Sequence, residues 1–177
     1  MKNELATIAL IVLCVIGVNA QKGKFGIITG YTSATLKISN SGDSTSESVS
    51  GFYLGLTSDF QFADRIVISP ELNFVRVSEN GGHSNSLFLP IMIKYYSSKA
   101  FFIQAGPALD YLLEEDPGIK KLGFGFGFGL GFDLSDKLFI SSKYTLGLSD
   151  RLQTIRYGYP DVDVKFNFLH IGLGYRF

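Results

Sequence analysis

The residues of this chain that could do chemistry are charged side chains set singly among apolar or small neighbours. Glu71, Lys94, Asp110, Lys143 and Arg176 each lie in a stretch where polar and large apolar residues alternate. Successive side chains of a β-strand point to opposite faces, so all five would share the face opposite to the apolar one. A buried charge is costly unless it is paired. The pattern therefore predicts an internal charge network, either an ion path or gate or a salt-bridged plug, and we favour the plug.

Within that network, the sequence predicts one specific ion pair, between Glu71 and Lys94. The two residues belong to neighbouring alternating stretches and lie on the same face. Facing residues of adjacent antiparallel strands have their Cβ atoms about 4.5–5.5 Å apart. We expect this pair to stabilise the fold and not to conduct ions.

The two histidines do not form a recognisable catalytic or metal-binding pattern. His83 lies in a glycine-rich segment, and His170 lies on the same face as Arg176. A catalytic histidine needs a nucleophile within hydrogen-bond reach and an acid to orient it. A His-x-Ser pair would suggest a lipid hydrolase, but residue 172 is Gly. We therefore predict no catalytic, cofactor or metal site, and an internal His170 that is hydrogen-bonded by its neighbours.

Glycines alternate with phenylalanine and leucine throughout Leu122–Phe132. The repeated G-x-G units resemble a phosphate-binding loop, but that motif needs a strand-to-helix turn to aim its backbone amides. An uninterrupted strand has no such turn. We interpret the glycines as the residues that leave room inside a closed sheet for large side chains.

Composition excludes several classes of protein. The only cysteine, Cys14, lies in the amino-terminal apolar segment, which argues against disulfide frameworks, zinc fingers and cysteine nucleophiles. Basic and acidic residues number 16 each, for a net charge of zero. A balanced charge argues against nucleic acid as a partner.

The amino terminus has the layout of a secretory signal peptide. Lys2 precedes the apolar stretch Leu5–Val18, and Val18-Asn19-Ala20 resembles a cleavage site. The stretch is shorter than the roughly 20 residues that span a bilayer, although a membrane anchor or buried helix remains an alternative. We predict a signal peptide at 1–20 and one mature domain at 21–177. Lipidation is disfavoured because Leu13, which is not a small residue, precedes Cys14.

Alternation with period two dominates the remaining chain and predicts eight strands. The predicted strands are Phe25–Ile38, Gly51–Phe62, Ile66–Val77, Leu87–Tyr96, Phe101–Leu113, Leu122–Phe132, Leu138–Leu148 and Val164–Phe177. In each of them one face is apolar. No helix is predicted that could cover this face, so lipid is the expected environment.

The predicted connections alternate strictly between long and short. The long ones are polar: Ser39–Ser50, Ser78–Ser86, Glu114–Lys121 and Ser149–Asp163. The short ones are Ala63–Arg65, Ser97–Lys99 and Asp133–Lys137. Short periplasmic turns, long extracellular loops and an even strand count are typical of outer-membrane barrels. The sequence thus predicts an all-β, eight-stranded antiparallel up-and-down transmembrane β-barrel, and the alternative of a soluble barrel would place the apolar face inside.

The carboxyl-terminal segment has large apolar residues at every second position, namely Leu169, Ile171, Leu173, Tyr175 and Phe177. This pattern resembles the signal that the outer-membrane barrel assembly machinery recognises. The alternative is an ordinary strand that happens to end in phenylalanine. We expect the machinery to be a partner during insertion.

The chain resembles the PorT-like, OmpX-sized outer-membrane β-barrel family. The most specific segments are Leu87–Tyr96 and Phe101–Pro107, which are similar to the family's leucine-x-isoleucine-proline, lysine-tyrosine and glutamine-alanine-glycine-proline signature. Pro70-Glu71-Leu72 with Gly81-Gly82, and Lys143–Leu148, fit its third and seventh strands. The resemblance covers 21–177. It implies the fold and an outer-membrane location, but it implies function only weakly, because fold does not dictate function.

Three classes of function remain open. We favour a membrane scaffold whose extracellular loops contact partners or surfaces. The second class is an accessory subunit of protein export, as the PorT resemblance allows, or a narrow solute channel. The third is an outer-membrane lipid enzyme, for which no nucleophile is visible beside His170. We expect outer-membrane lipid and lipopolysaccharide as surroundings, and other envelope proteins as partners.

Overall fold

The computed structural model of the chain describes residues 23–40, 43–79, 82–114, 118–152 and 162–177. It contains eight β-strands: β1 (Gly23–Asn40), β2 (Asp43–Ala63), β3 (Ile66–Glu79), β4 (Gly82–Tyr96), β5 (Phe101–Leu112), β6 (Leu122–Asp133), β7 (Leu138–Gly147) and β8 (Val162–Arg176). The signal peptide predicted at 1–20 lies outside the described residues and stays a prediction. Among the described residues, no helix is long and apolar enough to cross a membrane.

The strands form one closed antiparallel barrel in sequence order. Closure comes from pairing between β1 and β8, which runs from Gly26↔Arg176 to Asn40↔Val162. Closing the sheet leaves no unpaired edge, which a bilayer would not tolerate. The predicted eight-stranded barrel is confirmed.

Two ends of the barrel are defined by their connections. The turn end carries the short connections β2–β3, β4–β5 and β6–β7, together with Gly23 and Phe177. The loop end carries the connections β1–β2, β3–β4, β5–β6 and β7–β8. All three predicted short connections thus lie at the turn end and all four predicted long ones at the loop end.

The outer wall is an apolar belt, because the period-two pattern turns one face of each strand outward and that face carries large apolar side chains. In β6, Phe124, Phe126 and Phe128 are 44%, 45% and 47% exposed, whereas the intervening glycines are buried. The opposite face of each strand fills the lumen with buried polar, charged and aromatic side chains. The face assignments predicted from the sequence are confirmed.

Two of the predicted long loops are largely strand. β1 and β2 stay paired up to Asn40↔Asp43, inside the predicted connection Ser39–Ser50. β3 and β4 stay paired up to Glu79↔Gly82, inside the predicted connection Ser78–Ser86. Along a strand of a membrane barrel, apolar and polar residues alternate only where one face of that strand contacts lipid. A ladder whose outer face meets water lacks that signal, so the prediction ended these strands too early.

Candidate functional site

Charged side chains from four alternate strands meet in the lumen near the turn end. Asp59 of β2 accepts hydrogen bonds from Lys94 Nζ of β4 at 2.7 Å and from Arg176 Nε of β8 at 2.8 Å. Arg176 Nη1 also donates to Asp133 Oδ1 of β6 at 3.0 Å, and the Tyr96 hydroxyl donates to Asp133 Oδ2 at 3.1 Å. We call these five residues the turn-end cluster.

Aromatic rings pack against the two cations of the turn-end cluster. Lys94 Nζ lies 5.2 Å from the ring centroids of both Phe102 and Phe139. The guanidinium carbon of Arg176 lies 4.3 Å from the Phe139 centroid. A cation over a ring face is attracted by the ring quadrupole, most strongly where water is excluded. The rings therefore stabilise charges that have lost much of their hydration.

A second ion pair lies deeper in the lumen, between Glu71 of β3 and Lys143 of β7. Both side chains are buried, and Asn73 Nδ2 donates to Glu71 Oε2 at 3.0 Å. Since β3 and β7 are opposite each other in an eight-stranded ring, this pair crosses the lumen.

The predicted pair between Glu71 and Lys94 is wrong. In the ladder between β3 and β4, Lys94 lies opposite Val67. Glu71 follows Val67 by four positions, about 13 Å at roughly 3.3 Å per residue. The register thus separates the two charges, so Lys94 binds Asp59 while Glu71 binds Lys143.

A third ion pair closes the loop end. Arg151, from the connection between β7 and β8, is 1% exposed and donates through Nη1 to Asp110 Oδ2 at 2.5 Å. Its Nε donates to the Lys120 carbonyl at 2.8 Å and its Nη2 to the Lys121 carbonyl at 3.0 Å. The guanidinium therefore joins two loop-end connections to the wall of the lumen.

Gly123 makes room for this arginine. A Cβ at position 123 would lie 1.7 Å from Arg151 Nη1 and 2.3 Å from Asp110 Oδ1. Any larger residue would displace one partner of the ion pair. The first glycine of the glycine-rich strand is thus needed for the loop-end closure.

His170 lies between these charged groups, among aromatic rings. Its ring stacks on Phe88 with centroids 4.7 Å apart and meets Tyr53 edge-on at 4.9 Å. Neither ring nitrogen has a hydrogen-bond partner among the described residues, so the prediction of a hydrogen-bonded His170 is wrong. The histidine packs as an aromatic ring. The other histidine, His83, is exposed on β4.

A cavity of about 720 Å³ opens at the turn end. Asp59, Tyr96 and Arg176 line its inner part, and the three short turns line its mouth. We call this cavity the vestibule. Neither Glu71 nor Lys143 lines it, so the turn-end cluster separates the vestibule from the deeper lumen.

Chemically, this arrangement resists the passage of ions. Among the described residues, every buried charged side chain has an oppositely charged partner. Breaking a buried pair costs several kcal/mol, typically about 3–5. No cluster of three or more metal-ligating side chains is found in the described part of the chain. The paired charges favour a plug over an ion path.

All five charged residues singled out in the sequence lie in the lumen. Their partners Asp59, Asp133 and Arg151 were not singled out. In the alternating pattern of β2, Asp59 falls on the polar face, so this position could have identified it from the sequence. Arg151 could not be identified in this way, because it lies in an irregular connection with no alternating pattern. It contacts Asp110 only because that connection folds back into the barrel.

The assembly-signal residues of β8 line the outer wall. Ile171, Leu173, Tyr175 and Phe177 are exposed, and Leu169 is partly exposed. The backbone N–H of Phe177 donates to the Phe25 carbonyl at 2.8 Å, next to the seam that closes the barrel. Recognition by the assembly machinery stays a prediction.

The family profile described as outer membrane protein beta-barrel domain matches residues 6–177. The chain belongs to this family. It is an integral protein of the outer membrane, as the apolar belt and the closed barrel require. No curated protein matches the chain significantly.

This family member shares its fold with several solved barrels. It is similar to the outer membrane enzyme PagL, with a TM-score of 0.55 and 16% identity, over 85% of this chain and 97% of that one. It is similar to Neisserial surface protein A, with a TM-score of 0.52 and 14% identity, over 86% of this chain and 97% of that one. It is similar to Ail, the attachment invasion locus protein of Yersinia pestis, with a TM-score of 0.49 and 17% identity, over 89% of this chain and 100% of that one. At such identities these similarities show the fold alone.

Proposed function

We propose that this protein is a membrane scaffold whose loop end faces the cell exterior and carries contacts with partners or surfaces. The observation that supports it best is a change of polarity along the outer face of β1. Ile27 and Tyr31 are apolar or aromatic and exposed, whereas Thr35 and Lys37, on the same face, are polar. The strand nevertheless continues to Asn40, beyond the lipid belt.

The two strands that pair with β1, namely β2 and β8, also extend beyond the lipid belt. β2 pairs with β1 up to Asp43 and β8 pairs with it up to Val162, whereas β7 pairs with β8 only as far as Thr145↔Phe168. The wall formed by β8, β1 and β2 therefore extends farther at the loop end than the wall at β7. We call residues 34–40, 43–49 and 162–168 the three-stranded extension.

Side chains give the extension a polar outer face and an apolar inner one. The hydroxyls of Thr35 and Ser48 lie 2.8 Å apart across the ladder, and Lys37 and Ser46 are exposed. On the inner face, Ala34 is buried among the core residues. An ordered sheet loses less conformational entropy on binding than a flexible loop does, which suits a contact surface.

The closed lumen supports a scaffold over a channel. The turn-end cluster, the Glu71–Lys143 pair and Arg151 block three successive levels. Eight-stranded barrels have interiors that side chains just fill. We therefore expect no measurable conductance in planar bilayers.

A second candidate is an accessory subunit of protein export of the PorT-like kind. The vestibule favours it, since a polar cavity formed by all three short turns would offer a periplasmic protein a concave site. In that case the partner would contact the turn end and not the three-stranded extension.

Site-specific photo-crosslinking in intact cells separates the two candidates. A photoreactive residue is placed at Ser46 on the extension or at Ser135 in the β6–β7 turn, with Phe128 in the lipid belt as the control. The scaffold proposal expects macromolecular adducts from Ser46, including lipopolysaccharide. Discrete protein adducts from Ser135 alone would favour the export subunit, and adducts from neither position would refute both.

A further inference from the structure

An apolar groove of about 350 Å³ lies on the outer wall of the barrel, across β1 to β6. Its lining combines compact side chains, namely Ser58, Pro70 and Pro107, with longer ones such as Leu72 and Leu109. The outer wall of a small barrel is convex, so a concave region of this volume is a local departure. Its size falls within the range of small-molecule sites, about 300–1,000 Å³.

Three prolines explain why the wall is indented here. Within the strands, the Cα pairing is interrupted in each of the ladders β2–β3, β3–β4 and β4–β5, apart from a register shift between Gln61 and Ala63 at the end of β2. Each interruption contains one proline: Pro70, Pro90 and Pro107 in turn. Proline has no N–H to donate to the ladder. The interruptions lie side by side on adjacent strands and form a continuous seam beneath the groove.

The surroundings of the groove decide its occupant. The groove lies within the apolar belt, where hydrocarbon is the solvent. If the groove were empty, the side chains that line it would lack contacting atoms on one side and would lose the dispersion energy of those contacts. Glu71 also borders the groove, but Lys143 holds its carboxylate in the lumen. A flexible, uncharged hydrocarbon chain is the ligand that fits an elongated apolar groove open to lipid.

The two ends of the groove define the direction of such a ligand. The Ser58 side chain is 6% exposed, borders the groove, and its Oγ has no hydrogen-bond partner among the described residues. Ser58 lies opposite Phe25, whose carbonyl binds the Phe177 N–H at the turn end. The other extremity of the groove, at Leu109 and Phe124, is nearer the loop end.

We propose that this groove binds one acyl chain of a phospholipid from the leaflet at the turn end. The ester group lies at the Ser58 end of the groove, and the chain crosses Pro70 and Pro107 toward Leu109. The lipid covers the proline seam, where the ladder is weakest.

Photolabelling in vesicles tests the proposal on the whole barrel. The protein is reconstituted in phosphatidylcholine that contains a minor fraction of phosphatidylcholine with a diazirine in one acyl chain, and labelled residues are mapped by mass spectrometry. Leu109 and Ile140 are matched in exposure, at 39% and 43%, but only Leu109 borders the groove. We expect several-fold more label on Leu109. Equal labelling of both residues would overturn the proposal.

A variant that fills the groove provides the second measurement. Ser58→Phe should lower the labelling of Leu109 to the level of Ile140, whereas Phe128→Leu, at a lipid-facing position of β6 that does not border the groove, should leave it unchanged. Folding is checked by the shift in gel mobility between unheated and boiled samples. If Ser58→Phe does not fold, Pro107→Phe replaces it. Undiminished labelling of Leu109 in a folded variant would contradict the proposal.

Discussion

Arg176 Nε lies 2.8 Å from Asp59 Oδ2, although 117 positions separate the two residues in the chain. Their strands, β8 and β2, are not neighbours, because β1 lies between them. The bond therefore runs inside the lumen past β1 and is not part of a ladder. Lys94 binds the other oxygen of the same carboxylate, so one aspartate connects three strands near the turn end.

Removal of this aspartate should destabilise the barrel strongly. Asp59→Asn leaves Lys94 and Arg176 beside a neutral amide, and a buried charge without its partner costs about 3–5 kcal/mol. Water from the vestibule would lower that cost. The measurement is urea unfolding in detergent micelles, with Lys24→Gln as the exposed control. A loss no greater than that of the control would show that the cluster does not contribute to stability.

The pairing of Glu71 can be tested by two double-mutant cycles. Glu71→Gln and Lys143→Met should be strongly non-additive, because each single change leaves the other partner buried and unpaired. Glu71→Gln and Lys94→Met should add to within about 0.5 kcal/mol, as expected for residues that do not meet. Unfolding free energies in urea give both values. Coupling in the second cycle and not in the first would reverse the assignment.

The loop-end closure depends on the space at Gly123. Gly123→Ala should displace Arg151 from Asp110 and loosen both connections that the arginine holds. At Gly127 a Cβ would meet its nearest neighbour, Thr145 Oγ1, at 3.1 Å, so Gly127→Ala is the milder matched control. The readouts are unfolding in urea and hydrogen exchange at the Lys120 amide, which donates to the Arg151 carbonyl at 2.8 Å. Equal effects of the two substitutions would contradict this role.

Acid should loosen the base of the β7–β8 connection. Burial opposes ionisation of Asp150, but the backbone N–H groups of Val164 and Leu152 and the nearby Lys120 ammonium together lower its pKa. A carboxyl whose pKa is lower in the folded state adds stability above its unfolded pKa of about 3.9, and this stability is lost as the pH falls through the folded value. Below about pH 4, we expect faster exchange at the Val164 amide. Asp150→Asn should abolish that pH dependence.

The carboxyl-terminal phenylalanine should matter more for insertion than for packing. Phe177 and Phe62 both lie at the turn end and are 69% and 74% exposed. If Phe177 belongs to an assembly signal, Phe177→Asp should lower the amount of barrel in the outer membrane much more than Phe62→Asp does. The measurement is the heat-modifiable fraction in isolated membranes. Equal levels of the two variants would refute the signal.

The positions of the strands within the lipid belt follow from local pattern. Phe124, Phe126 and Phe128 face outward because strand side chains alternate, and a bilayer outside demands apolar residues at every second position. The same alternation identified Glu71, Lys94 and Arg176 as inward. Beyond the belt the pattern disappears, so the paired segments at Asn40 and Asp43 could not be found in this way.

The sequence by itself determined the eight strands, the face of each residue and the order of the connections, because each of these depends on neighbours along the chain. Only the tertiary structure decided which charges meet. Register placed Lys94 opposite Val67, and closure of the barrel brought Glu71 to Lys143 and Arg176 to Asp59. Arg151 reached Asp110 through an irregular connection. Partners across a lumen are set by the strand stagger and the closure of the whole ring, which no single stretch of sequence contains.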